Sequence, residues 1–373
     1  METVNPDTVL GQLLRWIHEQ GASDLHLQEG KSARYRLQGR LSVIADEPVP
    51  ARCQGQVWEV LAENLSPAAL AQVREKCEMD LSLQMGEIRY RANFSKQRGS
   101  QSCSFRVVPK QELALKQLQL PPTIKDCLEQ TRGLVLVTGP PGQGKSTTVR
   151  ALLQEINLTQ ALRIVTIEDP IEFVFDDVLA QFEQREVGLD TPSFAAGIRN
   201  AVRQDANIIF IGEIRDPESI FTAVQAAETG HLLFATLHAD SAAEAIGRVR
   251  EYYPATEQAN ISNLLARNLS MIICQRLLPN TTGTRTPCLE ILQRDKTLQQ
   301  AIRQNELHRL TDIIEVCINQ GMHSFDQYLI ELLAAGIITE ETARTYAVNK
   351  SRLERVLAGY QTNRAILLPE SRA

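Results

Sequence analysis

Apolar and polar side chains follow two different patterns along the chain, and the change falls near residue 110. Before it, DTVLGQLLRWIHEQ (7–20) keeps its apolar side chains on one helical face, whereas EIRYRANFSKQ (87–97) and SCSFRVV (102–108) alternate as paired strands do. Helices and antiparallel strands mixed in one stretch predict an α+β domain. Its other predicted elements are strands at 24–28, 33–38 and 40–44 with a turn at Gly39, and helices at 54–65 and 66–76.

Beyond residue 123 the pattern changes to short apolar runs that alternate with amphipathic helices. This alternation predicts βαβ units and a mainly parallel sheet. The predicted strands are 134–138, 162–167, 208–212 and 232–236, and the predicted helices are 145–157, 193–203 and 217–229. From about residue 257 we expect mostly helix, and from about 361 a polar tail.

These patterns divide the chain into four parts. Prolines at both ends of 109–122 indicate a connection between domains. We predict an N-terminal α+β domain (1–110), a linker (111–122), an α/β domain (123–285) and a helical C-terminal region (286–373).

Composition narrows the class of protein. The 373 residues are 43% hydrophobic and 23% charged, with a net charge of −6, which is ordinary for a globular protein and unfavourable for general nucleic-acid binding. No apolar run approaches the roughly 18 residues of a membrane span, and METVNPDTVL does not have the pattern of an export signal. Seven scattered cysteines without C-x-x-C indicate reduced thiols and a cytoplasmic location.

The most informative stretch is LVLVTGPPGQGKST (134–147), which fits the phosphate-binding pattern G-x-x-x-x-G-K-[ST]. An apolar strand precedes it and a helix follows, so the helix N-terminus points at the phosphates. We expect ATP and Mg²⁺ as cofactors, with the Ser146 hydroxyl on the metal. The predicted nucleotide-binding residues are Gly139, Pro140, Pro141, Gly142, Gln143, Gly144, Lys145, Ser146 and Thr147.

Carboxylates follow two later strands at the edge where an open α/β sheet places its site. Glu168 and Asp169 come directly after 162–167 and suit Mg²⁺, held directly or through water; a solvent-facing acidic loop is the alternative. Glu213 follows the apolar IIFIG and suits a residue that orients the attacking water. The alternative for Glu213 is an ordinary strand-to-helix loop.

Histidines and arginines supply the remaining candidates. His231 and His238 stand at opposite ends of a buried strand, and we favour a role at the γ-phosphate or at a neighbouring subunit, more strongly for His238. Arg91 and Arg106 lie on paired strands of the first domain, where they could reach a neighbour's site or simply be solvated strand charges.

Four motifs in order carry a family resemblance: GPPGQGKSTT, TIEDPIEF, IGEIRD and AAETGHLLFATLHA. The chain resembles the secretion and pilus traffic ATPases, and within them the PilT-type retraction ATPases of type IV pili. The resemblance continues through GASDLHL near the start and through QRLLP, AIRQNEL and GMHSFDQ towards the C-terminus. It implies a RecA-like P-loop ATPase core beside a PAS-like N-terminal domain.

The resemblance also implies roles for the candidate residues. Residues 139–147 correspond to the Walker A loop, and Glu213 to the catalytic glutamate of an atypical Walker B strand that has Gly212 in place of aspartate. Glu168 and Asp169 correspond to the Asp box, and His231 and His238 to the His box. The family works as a homohexameric ring on an inner-membrane platform protein, with arginines, here Arg91 and Arg106, reaching across subunits.

Two departures keep other functions open. The family usually has Pro-Asp where this chain has Ala206-Asn207, and we expect that change to weaken metal organisation without abolishing hydrolysis. AIRQNEL matches the retraction motif AIRAGQT only in part. The alternatives to retraction are an accessory ATPase that docks on a paralogous ring, a conjugation or type IVB secretion ATPase, and a regulatory ring subunit with little turnover. A nucleic-acid translocase is disfavoured by the acidic charge, so no direct nucleic-acid partner is expected.

Overall fold

The computed structural model describes residues 2–37, 40–44, 57–108, 114–317 and 321–359. The predicted turn at Gly39, the start of the predicted linker and the predicted polar tail lie outside these residues. The chain divides into two compact units, one of Met1–Gln111 together with Glu172–Val174, the other of Glu112–Ile171 together with Phe175–Ala373.

The first unit is a seven-stranded sheet with helices packed on it, in the order β1-β5-β6-β7-β2-β3-β4. Its strands are β1 (Glu2–Thr3), β2 (Asp24–Gln28), β3 (Arg34–Leu37), β4 (Arg40–Val43), β5 (Glu78–Met85), β6 (Ile88–Gln97) and β7 (Ser100–Val108). Its helices are α1 (Val9–Glu19), α2 (Val57–Ala62) and α3 (Pro67–Glu75). All pairs are antiparallel except β1 with β5, so the predicted α+β character is confirmed.

The helix boundaries of this unit follow local capping chemistry. The Thr8 hydroxyl accepts a hydrogen bond from Gly11 N, and the Ser66 hydroxyl accepts one from Ala69 N, with Pro67 in the first turn of α3. Strand β5 is absent from the predicted elements, although its sequence EMDLSLQM alternates polar and apolar residues as a half-buried strand does.

The second unit is built on a seven-stranded sheet in the order β10-β9-β11-β12-β8-β13-β14. Its strands are β8 (Gly133–Thr138), β9 (Arg163–Glu168), β10 (Gln181–Glu186), β11 (Ile208–Ile211), β12 (Leu232–Leu237), β13 (Leu269–Pro279) and β14 (Arg285–Gln293). Every pair is parallel except β13 with β14. The predicted mainly parallel sheet is therefore confirmed.

Helices pack on this sheet and follow it along the chain as far as Leu357. They are α4 (Lys145–Thr159), α5 (Phe194–Val202), α6 (Pro217–Glu228), α7 (Ala242–Glu251), α8 (Gln258–Asn268), α9 (Lys296–Arg303), α10 (Leu310–Val316), α11 (Phe325–Ala334), α12 (Glu340–Tyr346) and α13 (Lys350–Leu357). Two short 3₁₀ helices, Leu115–Leu118 and Pro122–Leu128, precede β8. Strands β8 and β12 are buried along their whole length, as strands covered on both faces must be.

The expectation of mostly helix beyond residue 257 is wrong for residues 269–293. Strands β13 and β14 complete the sheet there, and β14 extends past residue 285 into the region predicted to be helical. Their apolar runs, LSMIIC and CLEIL, are buried along the strands, and a continuous buried run does not distinguish strand from helix by periodicity. No helix among the described residues is long and apolar enough to cross a membrane.

Candidate active site around the phosphate loop

The glycine-rich stretch forms a tight turn between β8 and α4, as predicted. Gly139 has φ +146°, and a Cβ at that position would lie 2.3 Å from the main-chain oxygen of Gln275 on β13. Only glycine permits this close approach of two backbones. Helix α4 begins at Lys145, so the residues 139–147 lie contiguously in the turn and the first helical turn, and the N-terminus of a helix is suited to bind an anion.

Lys145 is buried within this turn and contacts the loop itself. Its Nζ donates to the carbonyl oxygens of Gly139 and Pro140, at 2.8 and 3.0 Å. It also lies 3.1 Å from Nδ1 of His238, which directly follows β12. Nδ1 of His238 also lies 3.3 Å from the Gly139 carbonyl oxygen, so the lysine, the histidine and the loop carbonyl meet at one point.

The other nitrogen of this histidine reaches the predicted catalytic glutamate. Nε2 of His238 lies 3.1 Å from Oε1 of Glu213, which follows β11. Strand β12 lies between β8 and β11, so the carboxyl ends of three adjacent strands bring Lys145, His238 and Glu213 together. The structure thus joins three of the predicted catalytic side chains by direct contacts.

Arg215 extends this connection to the predicted metal-binding loop. Its Nε donates to Oε2 of Glu213 at 2.8 Å, and a terminal nitrogen lies 3.3 Å from Oδ2 of Asp169. The hydrogen bond to Glu213 raises the pKa of the Arg215 guanidinium, which keeps it charged. Two cations, Lys145 and Arg215, therefore accompany two carboxylates in one connected cluster.

Glu168 has a different environment from Asp169. Its side chain is buried, and Oε1 accepts from the Thr166 hydroxyl at 2.6 Å and from Gln184 Nε2 at 3.3 Å. Strands β9 and β8 are three positions apart in the sheet, or about 14 Å at the usual strand spacing. Glu213 is one strand closer to the phosphate loop than Glu168 is.

The predicted magnesium donors stand at different strand ends, with Ser146 beyond β8 and both Glu168 and Asp169 at the end of β9. Among the described residues, no group of three or more His, Cys, Asp and Glu side chains is placed to hold a metal by itself. Mg²⁺ usually takes one or two carboxylates together with water and substrate phosphates, and the available oxygen donors are those of Ser146, Glu168 and Asp169.

The structure separates His231 from this cluster. His231 directly precedes β12, and its main-chain oxygen accepts from Gly133 N at the start of β8. It therefore lies at the amino edge of the sheet, about 20 Å along the strand from His238. Its Nδ1 contacts Ala226 O at 3.1 Å and the Thr229 hydroxyl at 3.2 Å, which end helix α6.

Asn207 lies at the same amino edge, and this position argues against a part in metal organisation. Its Oδ1 accepts from Arg163 N at 2.8 Å, and its main-chain N donates to Arg163 O. The whole of β11 stands between Asn207 and Glu213. The Asp-to-Asn change therefore affects a backbone-binding residue at the opposite edge from the phosphate loop.

The two candidate arginines of the first unit form ion pairs with carboxylates. They face each other across β6 and β7, in register. Nε of Arg106 lies 2.7 Å from Oδ1 of the buried Asp24, and Nε of Arg91 lies 3.8 Å from the exposed Asp80. Burial would raise the pKa of Asp24, but hydrogen bonds from Ser23 and Arg106 outweigh it and lower that pKa.

A cavity of about 500 Å³ opens beside the loop within the second unit. Gly144, Thr147 and Thr148 line one side, and Gln275, Leu277 and Arg285 line another. This volume lies within the range of small-ligand sites, 300–1,000 Å³.

Comparison with known proteins decides the family. The model of the type II/IV secretion system proteins matches residues 6–362, nearly the whole chain. The chain belongs to the type II/IV secretion system protein family.

Family members with close similarity include pilus ATPases. The chain is 37% identical to the type IV pilus retraction ATPase PilT of Pseudomonas aeruginosa over 337 residues, which cover 90% of this chain and 97% of that protein. It is 34% identical to the type IV pilus ATPase PilU of the same organism over 348 residues, covering 93% and 90%. A crystal structure of the pilus retraction motor PilT with bound ADP matches 92% of this chain and 98% of that one, with a TM-score of 0.84 and 36% identity.

Sequence reasoning missed two residues that contribute to this site, Arg215 and Gln275. Arg215 was visible only as part of a charged stretch after β11, and nothing in that pattern indicated that it bridges Glu213 and Asp169. Gln275 lies in a strand that was predicted to be helix, and its contacts with the loop are between residues more than a hundred positions apart.

Proposed function

We propose that this protein is the ATP-hydrolysing subunit of a type IV pilus motor that retracts the pilus and so supports twitching motility. The observation that carries the proposal is the contact series from Lys145 through His238 to Glu213, at 3.1 Å each. It brings a phosphate-binding lysine and a water-orienting carboxylate to one edge of the sheet, and hydrolysis needs both groups around the transferred phosphate. The similarity to PilT over nearly the full length of both chains supports pilus retraction as the work performed.

In this proposal the triphosphate lies on the N–H groups of the loop and of the first turn of α4. Phosphate oxygens compete with the Gly139 and Pro140 carbonyls for the protons of Lys145, and this exchange brings the lysine onto the β- and γ-phosphates. Glu213 orients the attacking water, and His238 and Arg215 hold its carboxylate. Mg²⁺ would be held by Ser146 and, directly or through water, by Glu168 and Asp169, where it neutralises phosphate charge.

The assembly and location are part of the same proposal. The second unit is taken as a RecA-like core and the first as a PAS-like domain, in a homohexamer that works in the cytoplasm on an inner-membrane platform protein. Arg91 and Arg106 are the candidates to reach a neighbouring subunit's phosphates, where an arginine adds about 10³–10⁵ in rate. Docking with a paralogous ATPase ring is the accessory variant of this proposal, supported by the similarity to PilU.

ATP turnover with Mg²⁺ by the purified full chain tests the enzymatic part. We expect Glu213→Gln to lower kcat by about 10²–10⁴ while nucleotide binding persists. Glu218→Gln is the matched control, because Glu218 is an exposed carboxylate on α6 that is paired with Arg199. Wild-type turnover no faster than that of Glu213→Gln would exclude the motor and leave the regulatory subunit.

The pilus role is tested in the source bacterium. Deletion of the gene is expected to abolish twitching, and wild type but not Glu213→Gln is expected to restore it. Normal twitching after deletion, with loss of conjugation or protein secretion instead, would favour the secretion ATPase. Electron microscopy of the ATP-bound protein checks the expected six-fold ring.

A further inference from the structure

Three side-chain hydrogen bonds join the phosphate loop and helix α4 to strand β13. Gln275, which is 3% exposed, donates from Nε2 to the main-chain oxygen of Gln143 at 2.7 Å. Its Oε1 accepts from the hydroxyl of the buried Thr148 at 2.6 Å. In return, Oε1 of Gln143 accepts from Leu277 N at 2.5 Å. The loop is therefore tied to β13 at two points, through the Gln143 main-chain oxygen to Gln275 and through the Gln143 side chain to Leu277 N.

We propose that Gln275 is a positioning residue for nucleotide binding, which together with Gln143 holds the loop in its phosphate-accepting shape. This inference rests on the proposed function and adds to it a residue outside the phosphate-loop motif. The two glutamines are far apart in the sequence, since Gln275 follows Gln143 by 132 residues. Position 143 is one of the unrestricted positions of G-x-x-x-x-G-K-[ST], so the motif itself does not call for a glutamine.

The main-chain oxygen of Gln143 decides which way the Gln275 amide points, because a carbonyl oxygen only accepts and so faces Nε2. Oε1 then faces Thr148 and accepts from its hydroxyl. Both side chains are buried, and an unpaired amide or hydroxyl would be costly there. The Thr148 hydroxyl thus supplies the partner of Oε1 while Nε2 of the same amide holds the loop.

The loop's shape matters because its N–H groups bind phosphate only when they converge. A loop held in that shape before nucleotide arrives loses less conformational freedom on binding. A loop released from β13 must be ordered by the nucleotide itself. The affinity for nucleotide therefore falls, while Lys145, His238 and Glu213 still meet at the strand ends once nucleotide is bound.

The test separates binding from turnover in the full-length protein. We expect Gln275→Met to raise the Kd for a fluorescent ADP analogue and the KM for ATP about tenfold, the value of roughly one net hydrogen bond, with kcat within about twofold of wild type. Thr148→Val is expected to act in the same direction. Thr148→Ser, which keeps the hydroxyl, is expected to restore wild-type Kd and KM.

Each outcome bears on the proposal. A lower kcat with unchanged Kd and KM, together with a lower melting temperature, would show that Gln275 only supports the fold. Equal effects of Thr148→Val and Thr148→Ser would also overturn it. If wild type binds ADP but does not hydrolyse ATP, the proposed motor function fails, and the Kd series still decides the role of Gln275.

Discussion

The close approach of strand β13 to the phosphate loop makes two alanine substitutions in the loop differ sharply in effect. Gly139 and Gly142 both have positive φ, +146° and +74°. A Cβ on Gly139 would lie 2.3 Å from the main-chain oxygen of Gln275, whereas a Cβ on Gly142 would have no heavy atom within 4 Å. The pair therefore separates backbone strain alone from strain combined with a collision.

The magnitudes follow from these surroundings. Alanine at 142 adds only the left-handed strain of an L-residue, about 1–2 kcal/mol. Alanine at 139 adds overpacking, which costs a further 1–3 kcal/mol or so, because the oxygen it meets belongs to a main chain that cannot rotate away. Strand β13 is paired on both sides, with β8 and β14, so the loop must move instead. If relief of this combined strain, about 2–5 kcal/mol, displaces the loop, nucleotide affinity is expected to fall about a hundredfold or more.

Calorimetric titration of the full chain with ADP measures the loss of nucleotide affinity, and a thermal melt measures the loss of stability. We expect Gly142→Ala to bind ADP within about tenfold of wild type, since about 1.4 kcal/mol corresponds to tenfold, and Gly139→Ala at least about a hundredfold more weakly. Equal losses in the two variants would refute the reasoning. So would wild-type affinity in Gly139→Ala, because β13 would then yield to the added methyl group.

Three further predictions concern charge and pH. Arg106→Ala leaves the buried Asp24 carboxylate without its 2.7 Å partner and is expected to lower the free energy of unfolding by about 2 kcal/mol. Arg91→Ala breaks an exposed ion pair and is expected to lower it by less than about 1 kcal/mol. Denaturant titration compares the two variants. Burial lowers the pKa of His323 from 6.5 to about 4, so the unfolded chain binds a proton between these values and stability falls as pH drops through that window. The free energy of unfolding should be about 2 kcal/mol lower at pH 5 than at pH 7.5, and denaturant titration at the two pH values measures it. The loss should be smaller in His323→Phe. An equal loss in that variant would show that another group causes the pH effect. Asn207→Asp keeps the oxygen that accepts from Arg163 N at the edge of the sheet away from the loop, so ATP turnover should stay within about twofold of wild type. A severalfold gain in turnover would show that an aspartate at this position does contribute to metal binding.

The phosphate loop and its flanks were predictable because their constraints are local. The spacing of glycines and lysine, the apolar run before them and the helix after them lie within 25 residues. The same holds for α6, where Asp216 caps the helix through Ser219 N at 2.8 Å and Pro217 takes the first position. Features of this kind are determined by neighbours in sequence, and sequence reasoning recovers them.

Strands β13 and β14 were not predictable by the same means. Their side chains are buried for most of both strands, so they have no polar alternation to mark a strand. What makes them strands is pairing with β8, which lies more than a hundred residues earlier, and with each other. The contribution of Gln275 to the loop depends on that pairing, and local patterning could not reveal it.

The strand ends show how sheet order assigns roles that residue type leaves open. Glu213 and Asn207 flank the same four-residue strand, yet one reaches His238 and the other binds the backbone of Arg163 at the far edge. The two histidines divide in the same way about β12. In a domain with a phosphate loop, an acidic or imidazole side chain is therefore a candidate for the hydrolytic site only if it follows its strand rather than precedes it. This rule keeps Glu213 and His238 in the proposed hydrolytic site and removes from Asn207 the argument for a subunit with little turnover.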